Sequence, residues 1–355
     1  MKTIGQAWAS GSNNFDILRL AAAIAVIVSH AFYLQSGLNS DEPLATSTGL
    51  PLGWHAVQVF FIISGFLIFA SFERRRGLGA FVLARVLRIM PAFIAAALFV
   101  VLAVGPMVTE LPLSEYFRPA GIFAFLGDTL IFFDTDMVLP GAFTNLPTHV
   151  PLGTIWTLKY EIFSYAGLAF AGWLGLTRHG LFYVLSAIGL VALGFIVHAN
   201  PEILERFGAL QHLLRLGGCF LLGMIAWHWR ERIPLHFGGV AALAILAILL
   251  RDTAVYRPAL YVAEAYGVMW FAFSAFGTRM PRLSFDYSYG IYLIGFPVQQ
   301  VVRLWFADNS AIAQLAIALP VAILLAAISW HFLEKPFMSL KDYRWRAGRA
   351  LVAAE

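Results

Sequence analysis

The chain has 355 residues, 60% of them hydrophobic and only 12% charged, with a formal net charge of +4. Soluble domains carry about 25% charged residues, so this composition excludes an ordinary soluble enzyme and points to a lipid bilayer. The basic residues lie between apolar runs rather than in a nucleic-acid-binding patch, and Cys219 alone excludes an intramolecular disulfide or a cysteine-based metal site.

A spanning helix needs about 20 predominantly apolar residues. The first such run extends from Phe15 to Leu34 behind a polar start with no evident cleavage signal, so it is expected to stay as a signal anchor. The second runs from Trp54 to Phe72, followed by the strongest basic cluster: Arg74, Arg75, Arg76, Arg85 and Arg88. The third is expected from Ile89 to Val108, with Pro91 in its first turn. Between Thr109 and Ile155 one apolar patch, Gly121 to Phe133, is too short to span, and the segment reads as interfacial or re-entrant. A fourth span starts at Trp156. Six more follow: Leu181 to His198, His212 to Trp229, Leu235 to Leu250, Pro258 to Gly277, Tyr287 to Phe306 and Ala311 to Phe332.

The expected fold is therefore all-α, a polytopic transmembrane helix bundle of about ten spans, with residues 1–355 forming one membrane-embedded domain. With the N-terminus inside, the basic cluster and Arg178, Arg230 and Arg232 fall on the cytoplasmic side, as the positive-inside bias requires. One further span within 109–155 would invert every later loop, so the bias favours ten spans and two cytoplasmic termini.

Ionisable groups inside spans are costly and mark candidate sites. Arg19 and His30 lie eleven residues apart in the first run. On a helix that is about three turns and about 16 Å, so the two share a face. A plainer reading has Arg19 snorkelling to the headgroups and His30 satisfied inside a bundle. Arg85 and Arg88 share a face at i, i+3 and suit phosphate binding, or else serve as a positive-inside anchor. Glu161, within Trp156-Thr-Leu-Lys-Tyr-Glu161, suits hydrogen bonding to a sugar beside aromatic side chains, or an interfacial ion pair with Lys159. Ser64-Gly65 reads as a close helix contact rather than a nucleophile. The histidines show no convincing metal-ligand spacing, and no metal is expected.

In order, these segments resemble the integral-membrane acyltransferase-3 family, which O-acylates bacterial surface glycans. Phe15-Asp-Ile-Leu-Arg19 with His30 is similar to its opening motif. Val59 to Ile68, Arg85-Val-Leu-Arg-Ile-Met-Pro91, Trp156 to Glu161, Ser288 to Pro297 and Glu334-Lys-Pro336 are similar to the motifs that follow. The resemblance implies an acyl-coenzyme A donor in the cytoplasm and a glycan or lipid-linked saccharide acceptor at the outer face of a bacterial inner membrane. It implies His30 as the catalytic histidine, Arg19 as its motif partner, Glu161 as a further site residue, and Arg85 and Arg88 facing the donor. His30 would act as general base on the acceptor hydroxyl, or as the nucleophile of a transient acyl-histidine. Arg19 would position the donor or stabilise developing negative charge. The acyl group is expected to be acetyl or succinyl, with a homo-oligomer or a polysaccharide-assembly complex as further partners and no nucleic acid. Three departures stand out: Gly295 where many relatives have histidine, Gln58 where many have an acid, and a single carboxylate after Trp156. Polar residues inside spans also suit a transporter or flippase of a glycolipid or small anion.

Overall fold

The computed structural model describes residues 2–74, 77–134, 136–274, 279–280 and 283–340. Arg75 and Arg76 of the basic cluster, and the expected end of the eighth span at Gly277, lie outside the described residues. Among the described residues the architecture is all-α, with two isolated β-bridges and no strand.

Among the described residues, ten helices of 13 residues or more carry the fold: α1 Phe15–Ser36, α2 Leu52–Arg74, α3 Leu78–Val108, α4 Trp156–Trp173, α5 Gly180–Ala199, α6 Gly208–His228, α7 Phe237–Leu249, α8 Tyr256–Phe273, α9 Ser288–Trp305 and α10 Ala311–Leu340. Each falls on one of the ten apolar runs. Six of them (α1, α2, α3, α5, α6 and α10) are long and apolar enough to cross a membrane. The other four are shorter or more polar: α7 has 13 residues, α4 carries Lys159 and Glu161, and α8 carries Arg257 and Glu264. Outward-facing leucines and isoleucines on α5, such as Leu181, Leu185 and Ile188, are exposed and give it an apolar surface suited to lipid.

The third helix begins at Leu78, not Ile89, and Pro91 lies in its interior rather than in its first turn. Gly77, at φ +109°, supplies a turn that side-chain-bearing residues rarely adopt, and the helix starts immediately after it. Leu78 to Arg88 consists mostly of good helix formers and buries Phe81 and Ala84, so the arginines ride on a helix instead of a loop.

Near its end α3 widens into a π-turn at Val100–Val104, where the Gly105 N–H donates to the Val100 carbonyl. The same pattern would pair the Val101 carbonyl with residue 106, which is Pro106 and has no N–H. The Tyr116 hydroxyl takes that place, donating to the Val101 carbonyl at 2.7 Å. Gly105 makes room: a Cβ there would lie 1.9 Å from the Tyr116 oxygen. Burial pushes the Tyr116 phenol up to about 12.

The 109–155 segment forms two short helices, Leu113–Tyr116 and Pro119–Gly127, a π-turn, and irregular chain. Tyr116, Phe125, Leu139, Phe143, Leu152 and Ile155 pack into one apolar core with Phe93, Ala97, Val100 and Val104 of α3.

The chain divides into two compact units. One comprises Met1–Arg19, Val57–Arg76 and Tyr160–Leu283, and the other comprises Leu20–Ala56, Gly77–Lys159 and Ser284–Glu355. In the first unit, α2 and α6 meet backbone to backbone. A Cβ on Gly65 would lie 2.0 Å from the Phe220 carbonyl oxygen, and one on Gly223 would lie 2.2 Å from that of Ile62. Gly65 is thus a helix-contact residue, as small residues in membrane bundles are. In the second unit, the 78–159 core and α9–α10 form the bulk.

Candidate active site

His30 stands on α1, which is helical from Phe15 to Ser36, so the eleven-residue spacing to Arg19 is helical throughout. In the second unit, the imidazole meets Phe296 of α9 edge to face, with ring centroids 5.0 Å apart. Phe296 is 2% exposed and is itself held by the chain before α4: a Cβ on Gly153 would lie 2.6 Å from its ring. The 148–157 segment is fixed to α9 by polar contacts. The Gln300 amide donates to the Thr148 and Val150 carbonyls at 2.9 and 3.1 Å. The Tyr292 hydroxyl donates to the Thr154 carbonyl at 2.8 Å and lies 2.6 Å from the Thr157 hydroxyl.

One turn before His30, the buried Gln299 amide donates to the Ile27 carbonyl at 2.8 Å. A Cβ on Gly295 would strike the Ile27 side chain at 2.6 Å. The space that a side chain at 295 would fill is therefore taken by Ile27, which is how this chain accommodates glycine there. The result is an imidazole aimed by packing rather than by a hydrogen bond. His30 Nδ1 is buried and has no hydrogen-bond partner among the described residues. A buried polar atom in that state is uncommon and calls for an explanation, of which a substrate group is one.

Arg88 lies in the same unit, on α3. Its guanidinium reaches Asp286 at 2.7 Å and Glu334 at 3.6 Å, and stacks over the Tyr289 ring at 5.6 Å. Asp286 also accepts from Ser288, and Glu334, in a π-turn at Trp330–Glu334, accepts from the Ser329 hydroxyl at 3.0 Å. The arginine of the third motif is thus tied to residues of the two closing motifs. Sequence reading missed Asp286 and Glu334 as its partners, because they lie far along the chain and each motif looked self-contained. Arg85, one turn earlier on α3, is half-buried.

The other two predicted residues belong to the first unit. Arg19 pairs with Asp16, three residues before it on α1. Glu161 accepts from the Tyr165 hydroxyl one turn along α4, and Tyr165 packs against Phe220 of α6. Within the first unit, Arg19 and Glu161 thus each have a partner on their own helix.

The fold and these groups together define a multi-pass membrane protein that carries polar side chains within its helices. Comparison with known proteins is more specific. The model of an acyltransferase domain, that of the acyltransferase-3 family, matches residues 12–331. The chain belongs to this family and is an acyltransferase. It is 27% identical over 338 residues to a protein of Shigella phage Sf6 named O-acetyl transferase, an alignment covering 92% of this chain and 96% of the other. It is 30% identical over 381 residues to Nodulation protein 10 of Rhizobium leguminosarum bv. viciae, covering 93% of this chain and 94% of that protein. No solved structure matches the chain.

Proposed function

We propose that the protein is an O-acyltransferase that moves a short acyl group, acetyl or succinyl, from cytoplasmic acyl-coenzyme A to a hydroxyl of a surface glycan or its lipid-linked precursor. The whole chain acts as one membrane-embedded domain in a bacterial inner membrane, with both termini in the cytoplasm. The observation that carries this reading is His30: an imidazole within a membrane helix, aimed by Phe296, with Nδ1 buried and without a hydrogen-bond partner among the described residues. The name of the phage relative, O-acetyl transferase, supports the same chemistry.

His30 accepts the proton of the acceptor hydroxyl, whose oxygen attacks the thioester carbonyl. The carbon–sulfur bond breaks, and the coenzyme A thiolate leaves and takes up that proton. Arg85 holds donor phosphates. Arg88 shares this face and meets the donor with it, its guanidinium held in place by Asp286 and Glu334. Arg19 steadies charge developing on the donor, and Glu161 hydrogen-bonds the acceptor sugar.

The test is thiol release by the purified full-length protein, given acetyl-coenzyme A or succinyl-coenzyme A with and without a lipid-linked saccharide. Release that requires the acceptor and is lost in His30→Gln supports the reading. A protein that moves the saccharide across liposomes without consuming donor is a flippase, and the reading fails.

A further inference from the structure

The second unit carries an aromatic group that the acyl-transfer reading leaves unused. Phe285, Asp286 and Tyr287 form the approach to α9. The outer two of them stack, with ring centroids 4.1 Å apart and planes 21° from parallel. The Tyr287 hydroxyl lies 3.1 Å from His331 Nε2 on α10, and the His331 ring meets the Tyr287 ring edge to face at 6.0 Å. Phe285 and Tyr287 are half-buried and His331 is exposed, so the group lies at the protein surface and not in its core.

Two cations border it. Asp286, between the two rings in sequence, holds the Arg88 guanidinium at 2.7 Å. Neighbouring Cα atoms are about 3.8 Å apart, so each ring belongs to a residue next to that ion pair. Lys335 follows His331 by four residues on α10, is exposed, and has no ion-pair partner among the described residues. Aromatic faces stack on nucleotide bases, and cations beside them hold phosphates. An acyl chain would need no cation, and a neutral sugar would need no phosphate-binding group.

The geometry points to a purine-binding platform made by Phe285 and Tyr287, with His331 bracing Tyr287 and with Arg88 and Lys335 beside it for phosphate. Its occupant is the adenine end of the acyl-coenzyme A donor. This assignment rests on the acyl-transfer reading, in which Arg85 and Arg88 meet the donor. In coenzyme A a single ribose joins the adenine to the phosphates. A donor whose phosphates lie at the arginines therefore carries its base to their immediate surroundings, where the stack stands.

The experiment is calorimetric titration of the purified full-length protein with adenosine 3′,5′-bisphosphate, the nucleotide half of the donor, and with ribose 5-phosphate, which has no base. The nucleotide should bind more tightly than the sugar phosphate. Phe285→Leu should weaken it about fivefold or more, the loss expected for one stacked base, and Phe285→Tyr should keep most of the affinity. In thiol-release assays Phe285→Leu should raise the KM for acetyl-coenzyme A by a similar factor over any rise in the KM for S-acetyl-4′-phosphopantetheine, which lacks the nucleotide. Equal binding of the two probes overturns the proposal and leaves the rings as a bilayer anchor. A Phe285→Leu protein that elutes as wild type does and keeps its nucleotide affinity overturns it as well. If Phe285→Leu aggregates, Lys335→Met at its exposed position decides, and wild-type affinity there overturns the proposal. Thiol release separates the two readings. Nucleotide binding that depends on Phe285 without acyl transfer leaves the platform standing and removes the enzyme reading; acyl transfer indifferent to Phe285 does the reverse.

Discussion

Gly153→Ala tests whether packing aims the candidate base. A Cβ at this position would lie 2.6, 2.8 and 2.9 Å from three ring carbons of Phe296. Carbon atoms rest at about 3.5–4.0 Å, so the ring must retreat by about 1 Å. It is 2% exposed and has the His30 ring on its edge, with centroids 5.0 Å apart. Overpacking of this kind costs about 1–3 kcal/mol. A 1 Å error in placing a reacting group can lower turnover about 100-fold. At matched membrane abundance, Gly153→Ala should therefore lose acyl-transfer turnover on that scale while leaving a folded protein. Adding Phe296→Leu shrinks the obstructing side chain and should recover part of the loss, a coupling that a double-mutant cycle reads directly. Wild-type turnover in Gly153→Ala, or a loss that Phe296→Leu leaves unchanged, would refute the reasoning.

Other outcomes follow from the same contacts. Tyr116→Phe leaves the Val101 carbonyl without its donor and should destabilise the purified protein by about 1–3 kcal/mol, read as a lower thermal midpoint, with turnover spared. The Tyr116 hydrogen bond stabilises fully below its ordinary value of 10.0 and is lost as pH rises toward about 12, so wild type and Tyr116→Phe should converge in stability only in strong alkali. Glu334→Gln takes one of two carboxylates from Arg88 and should raise the KM for the acyl donor more than it lowers kcat; an unchanged donor KM would separate this ion cluster from donor binding. Gly65→Val should abolish the monodisperse protein, because its Cβ falls 2.0 Å from a backbone oxygen that cannot move cheaply; normal size-exclusion behaviour would contradict the α2–α6 contact.

The ten apolar runs were legible because a membrane helix must be apolar over its whole length, and each run became a helix. The beginning of α3 was not, because Arg85 and Arg88 interrupt an otherwise apolar stretch and set the expected start of the span behind them, at Ile89. The 109–155 segment was legible only as something other than a span. Its role as part of the α3 core rests on Tyr116, Phe125, Phe143 and Ile155 meeting residues that no local pattern links to them. The Arg88 partners were hidden for the same reason, Asp286 being 198 residues away. His30 was found because an ionisable group stands out in an apolar run, but the burial of its Nδ1 without a hydrogen-bond partner among the described residues shows only in three dimensions.

The measurement that bears most directly on the central claim is mass spectrometry of the surface polysaccharide and its lipid-linked precursors. A deletion strain carrying the wild-type protein is compared with one carrying His30→Ala at equal membrane abundance. The account predicts a short acyl increment, acetyl or succinyl, present with wild type and absent with His30→Ala while the polymer itself persists. An increment that survives His30→Ala would contradict His30 as the catalytic base, and loss of the polymer together with the increment would favour transport or assembly over acyl transfer.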